Sequence, residues 1–211
     1  MKIPVLLLLL LALALLGGCT SLLVTPGHER VYVLTPAHLK PSSAPPPVAV
    51  LATLAVEVPE SFGLTDSTSL LISPVADQLQ VYADARWAER PAHLLQRQLL
   101  AALITHGVPR AIPAGSSVLS TVRLESNLDD FRVIARGSSD QVRIVMRVRL
   151  VDSSSRRLLG QRRFAIEQAA AGSQAGNVVR AFSQATQRLA NKVAMWTHAL
   201  LRHTAPPPAT D

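Results

Sequence analysis

"QVRIVMRVRLVDSSSR", residues 141–156, is the stretch on which the fold class turns. Val142, Ile144, Met146, Val148 and Leu150 fall at every second position, with Arg143, Arg147 and Arg149 between them. A strand sends successive side chains to opposite faces, so the run predicts a strand over 140–152 with one apolar face and one arginine face. "DSSSR" at 152–156 has hairpin-turn composition and leads into a second β-rich run at 157–168, while a third, at 117–134, precedes it.

Further strands are expected upstream. Val48 to Val58 is apolar and partly β-branched and is ended by Pro59, which predicts a largely buried strand. "SLLIS" (69–73) is stopped by Pro74, and in "QLQVYADARW" (78–87) Leu79 and Val81 alternate with Gln78, Gln80 and Tyr82, as in a strand with one wet face. "RVYVL" (30–34) is a short candidate with Tyr32 and Leu34 on one side. The period changes twice. In 89–107, Leu95, Leu99, Ala102, Leu103 and His106 share a helical face between Pro91 and the stop at Gly107. From 174 to about 202, Val178, Phe182, Ala185, Leu189, Val193, Trp196 and Leu200 step by three or four. Without a regular βαβ alternation, the expected class is α+β: a mainly antiparallel sheet with two amphipathic helices packed on one face, in a single domain over 48–203 followed by a polar tail at 204–211.

The first residues have a different purpose. Met1 and Lys2 precede an apolar block from Val5 to Leu16 and two glycines, the layout of a secretory signal over residues 1–18. The block is shorter than the roughly 20 apolar residues that a membrane-crossing helix needs. Leu16-Gly17-Gly18-Cys19 resembles the bacterial lipobox, which implies cleavage before Cys19 and its acylation. Each buried methylene contributes about 0.8 kcal/mol, so three acyl chains would hold the protein at a membrane permanently. Thr20, where Asp would favour retention at the inner membrane of many Gram-negative bacteria, leans the expectation toward the periplasmic face of the outer membrane. Residues 19–47, overlapping the Pro- and Ser-rich "LKPSSAPPPV" of 39–48, read as an extended tether.

Composition narrows the possible chemistry. Cys19 is the one cysteine, so no intrachain disulfide can form. The formal charge is +7, but export and 4% aromatic residues argue against nucleic acid, leaving anionic head groups or an acidic protein as partners. None of the six histidines forms an HExxH pattern, and no metal is expected. His106 reads as a hydrogen-bonded core histidine. There is no G-x-S-x-G and no phosphate-cradling glycine loop, so no cofactor and no catalytic residue are assigned. Asp129-Asp130 are adjacent on an expected strand and would point to opposite faces unless a bulge intervenes, so they read as solvated residues near a strand end. The unusual surface is cationic: Arg143, Arg147 and Arg149, with Arg156, Arg157, Arg162 and Arg163 on the adjoining run. Of these, Arg143, Arg147, Arg149 and Arg162 are the candidates for docking an acidic partner or phospholipid head groups. The alternative is that the arginines keep an exposed sheet face soluble and discourage edge pairing.

Within "LLISPVADQLQVYADARWAERPAHLLQRQLLAAL", Arg86-Trp87-Ala88-Glu89 resembles the R-W-A-E-P segment of the ABC-type transport auxiliary lipoproteins, which include paraquat-inducible protein C-like, membrane-integrity-associated subunits. "VYVL" soon after the anchor, "VEVPESF" and the long C-terminal helix support the likeness, while Arg90 stands where the family commonly has Pro. The resemblance implies a non-enzymatic adaptor whose partners are an MCE-domain protein with its permease and ATPase, and a homo-oligomeric ring. In this setting Trp87 reads as a structural anchor packing its strand against the following helix, and Arg86 and Glu89 as ties across the turn. A lipopolysaccharide-assembly lipoprotein partnering an outer-membrane β-barrel would share the same α+β outline. An envelope hydrolase lacks any recognisable constellation.

Overall fold

The computed structural model describes residues 29–34, 52–137 and 139–204. The expected signal segment, Cys19, most of the tether and the tail lie outside the described residues. One eight-stranded sheet is built from β1 (Arg30–Tyr32), β2 (Leu54–Val56), β3 (Ser69–Ser73), β4 (Gln80–Trp87), β5 (Ala111–Pro113), β6 (Val122–Ile134), β7 (Gln141–Asp152) and β8 (Leu158–Ala169). Helix α1 (Pro91–Thr105) follows β4, and α2 (Ala175–Thr204) follows β8. The class is α+β.

The sheet is mixed. β6, β7 and β8 form an antiparallel meander and β3 pairs antiparallel with β4, but β1–β4, β2–β5, β2–β6 and β3–β6 are parallel. The cause is the length of β6. One of its edges takes β7 along nearly the whole strand, and its other edge is shared by β2 at Val122–Leu124 and by β3 at Val133–Ile134. Both reach it through long connections that let the chain return in the same direction.

Three expectations change. Of the strand foreseen over 48–58, residues 48–51 lie outside the described residues; in the rest Leu54–Val56 is a fully buried strand, after which the chain continues beside β6 to a bridge between Glu60 and Asn127. The run foreseen from 117 begins at Val122, and a short strand not foreseen, β5, lies beside β2. In β4 the facing is reversed: Leu79 and Val81 are exposed, while Ala85 and Trp87 are buried. Pairing with β3 slips between Ser69–Arg86 and Leu71–Val81, and Asp84 sits in this irregular segment with left-handed backbone, φ 54°. A bulge turns the alternation over, so the parity read at Val81 does not reach Trp87.

A continuous apolar cluster joins Val142, Ile144, Met146, Val148 and Leu150 of β7 to Leu95, Leu99 and Leu103 of α1 and to Val178, Phe182, Leu189 and Val193 of α2. At its centre Trp87 meets Phe131 edge-on at 5.7 Å and Phe182 at 5.1 Å, and Phe131 stacks on Phe182 at 4.5 Å. Near the far end of α2, Phe164 of β8 meets Trp196 at 5.9 Å. Gly160 allows this approach, since a Cβ there would lie 2.7 Å from Leu200 Cδ1. Helix α1 starts at Pro91 and ends as anticipated: Gly107 takes φ 85°, and the His106 and Val108 N–H groups donate to the Ala102 and Leu103 carbonyls. The half-buried His106 ring stands 3.3 Å from Asn191 Oδ1.

Candidate functional site

The arginine face of β7 is locked into cross-strand ion pairs. Arg149 lies opposite Glu125 and contacts it at 3.1 Å, with Arg123 at 3.4 Å from the same carboxylate. Arg147 grips Asp129 in bidentate fashion, Nε at 2.9 Å and Nη2 at 2.8 Å. Arg143 lies 3.3 Å from Asp130, which also holds Arg132 at 3.2 Å, and reaches Glu167 at 4.0 Å. Asp129 and Asp130 are thus not at a strand end. They sit mid-strand where the β6–β7 register shifts between Leu128 and Asp130, and that bulge brings both carboxylates within reach of the same arginine row. Hydrogen bonding to Asp129 holds the Arg147 guanidinium above its usual range. Burial raises the Asp130 carboxyl and outweighs its two arginines.

The sheet divides the four arginines proposed for docking. Arg162 pairs in register with Val148, whose side chain is in the core, and its guanidinium carbon lies 5.4 Å from the centroid of the Phe164 ring. It therefore leaves the sheet on the face opposite Arg143, Arg147 and Arg149. Arg163, directly across from Arg147, is the β8 arginine on their side. With Arg147 turned to Asp129, Arg163 has no carboxylate within ion-pair distance among the described residues, and neither has Arg162. Counting alternate positions across the turn would have separated these neighbours. Two shallow hollows border them: one of about 330 Å³ beside Asn127, Arg147, Arg149 and Gln161, and one of about 520 Å³ between β8 and α2, lined by Phe164, Lys192, Met195 and Trp196.

The RWAE segment builds a junction. Trp87 is fully buried, and its ring partners lie on β6 and α2. Glu89 forms a two-pronged pair with Arg97, Nη1 to Oε2 at 2.7 Å and Nη2 to Oε1, which ties the turn to α1 and holds the Glu89 carboxyl below its ordinary range. Arg86 stands 2.8 Å from Glu29, beside β1, and Arg90 3.5 Å from Asp66. Among the described residues no three His, Cys, Asp or Glu side chains gather as a metal would require, and no helix is long and apolar enough to cross a membrane.

No curated protein matches the sequence significantly. Among solved structures, a protein from Xanthomonas campestris superposes with a TM-score of 0.75 at 23% identity, covering 82% of this chain and 97% of that one. An uncharacterized protein gives 0.61 at 17% identity over 79% and 97%, and a PelC dodecamer from Paraburkholderia phytofirmans 0.46 at 14% over 75% and 92%. The first two likenesses concern the fold. The family model for the ABC-type transport auxiliary lipoprotein component matches residues 32–194, from β1 into α2. By that match over most of its length, the chain belongs to the ABC-type transport auxiliary lipoprotein component family.

Proposed function

We propose that the protein is a lipid-anchored, non-enzymatic adaptor that docks an MCE-type, ABC-linked lipid transport assembly at the periplasmic face of the outer membrane. The family match over 32–194 carries this reading. Cys19 is the attachment point, residues 19–47 the tether, and residues 48–203 one domain. Both helices cover the face opposite the arginines, which leaves the arginine face free for a partner. The composition of the apolar cluster, drawn from both helices and the even-numbered side of β7, supports that arrangement. Several copies would form a ring.

A photo-crosslinking residue at Arg163, in cells that also carry the MCE protein, is expected to capture that protein. Recovery of a large outer-membrane β-barrel instead would replace the reading with a lipopolysaccharide-assembly role. The anchor is tested separately: Cys19→Ser is expected to leave an uncleaved or soluble precursor that takes up no labelled palmitate, and normal acylation of that variant would refute it.

A further inference from the structure

Among the described residues β8 is an edge strand, paired only with β7. The Glu167 carbonyl accepts a hydrogen bond from Arg188 Nη2 of α2 at 2.8 Å, so this backbone group points away from β7. In an antiparallel strand the N–H and C=O of one residue point to the same side, and the side alternates along the chain. Gln161, Arg163 and Ala165 therefore turn their backbone donors and acceptors to the open edge, and none of the three has a backbone partner there among the described residues. Arg188 closes one end of this edge and leaves the rest open.

Beside it runs the hollow of about 520 Å³ between β8 and α2. Its floor is apolar, from Phe164, Trp196 and Met195, the last of these 60% exposed, and its rim carries Arg162, Arg163 and Lys192. No carboxylate lies within 4 Å of these three cations among the described residues, in contrast to the paired arginines of β7.

From these features we infer that the β8 edge is a strand-addition site for an extended segment of a partner protein in which acidic and apolar residues alternate. Backbone hydrogen bonds to Gln161, Arg163 and Ala165 give the segment its register. Its apolar side chains enter the hollow against Met195 and Trp196, beside the stems of Arg162 and Lys192, and its carboxylates, on the opposite face of the added strand, meet Arg163. A second copy of β8 is a poor occupant, because antiparallel pairing would set the arginines against their equivalents, and like charges directly opposite each other are unfavourable. An anionic lipid would use the cations and the hollow but leave the edge hydrogen bonds unmade. The inference rests on the reading of the chain as a protein-docking adaptor and adds the chemistry of what it docks.

The test uses the full chain and a fluorescent synthetic peptide in which Glu alternates with Leu, followed by anisotropy. Binding is expected, weakened by added salt and absent for a Lys–Leu peptide and for a Glu–Leu peptide interrupted by proline. Ala165→Pro, which removes an edge donor without adding charge, and Arg163→Glu, which reverses the charge on the face where the carboxylates lie, should each lower affinity at least about tenfold. Circular dichroism establishes that the variants are folded, and the charge reversal, confined to an exposed side chain, serves if the proline variant is not. No binding of the Glu–Leu peptide, or equal binding by both variants, would overturn the assignment. So would capture of phosphatidylglycerol vesicles through these residues in place of the peptide, or self-association that Ala165→Pro abolishes. If the crosslink from Arg163 still captures the MCE protein while the peptide fails, the adaptor reading stands and this assignment alone falls.

Discussion

Trp87 has no exposed surface and is held edge-on by Phe131 and Phe182, so its removal empties the point where β4, β6 and α2 meet. Trp87→Ala is expected to lower unfolding stability by about 3–5 kcal/mol in urea titrations. Trp87→Phe should lose much less, since it keeps a ring and removes an indole N–H that has no partner among the described residues. At the hairpin, Asp152 Oδ1 accepts from the N–H and Oγ of both Ser154 and Ser155, at 2.7 to 3.1 Å. These bonds, the Ser155 N–H foremost, lower its pKa from 3.8 to about 2. The folded state therefore binds this proton less readily than the unfolded chain, and the stabilisation is present above pH about 4 and fades as pH falls toward 2. Asp152→Ala should lower Tm at neutral pH and flatten Tm against pH across that acidic window. His198 behaves in the same sense: burial first, then Arg202 and His106, hold its imidazole below the ordinary value. Stability is expected to decline as pH drops below about 6.5, and His198→Leu should remove that slope in thermal melts. The turn at 152–156 was legible because Asp and Ser bond their own backbone locally. The alternation of 78–87 sets Trp87 on the apolar side with Leu79 and Val81, but its ring partners, Phe131 on β6 and Phe182 on α2, lie far along the chain and were not visible there.

Among the elements, those with an unbroken period were read to within a few residues. β7, β8, α1 and α2 need no information beyond their own side-chain spacing. Where a backbone irregularity intervenes, the spacing misleads: Asp84 reverses the facing of β4, and the extra residue at Asp129 brings two neighbouring carboxylates to one arginine row. Non-glycine residues such as these carry no sequence mark of a bulge, and their partners lie on other strands. Gly160 makes a testable contact between elements. Gly160→Val would press its branched side chain into Leu200 and Trp196, so a lower Tm is expected, with faster amide exchange in the last turns of α2. Gly160→Ala should be milder, because the atom met first is the end of a flexible side chain. The ion pairs on the outer face are half-exposed and contribute little each. Arg143→Gln, which unties Asp130 from Glu167, should change stability by no more than about 1 kcal/mol, less at high salt.

For the whole molecule, the α+β class follows from one alternating run and two helical stripes, but the parallel pairings do not. They depend on where along one edge of β6 the strands β2 and β3 dock, and on β1 and β5 joining β4 and β2, and nothing in these short sequences specifies this. The branched arrangement has a kinetic consequence. β2 pairs with β5 and β6, whose residues follow it by more than fifty positions, whereas β6, β7 and β8 are joined by short turns and are followed at once by α2. Bringing distant segments together costs chain entropy before any contact offsets it, so the local meander is expected to organise first. In pulse-labelled hydrogen exchange during refolding, amides of β6 to β8 should gain protection before those of β1 and β2. The order of assembly would then run against the order of synthesis: a chain made from its N-terminus has to keep β2 and β3 from aggregating until β6, in the second half of the sequence, arrives to receive them.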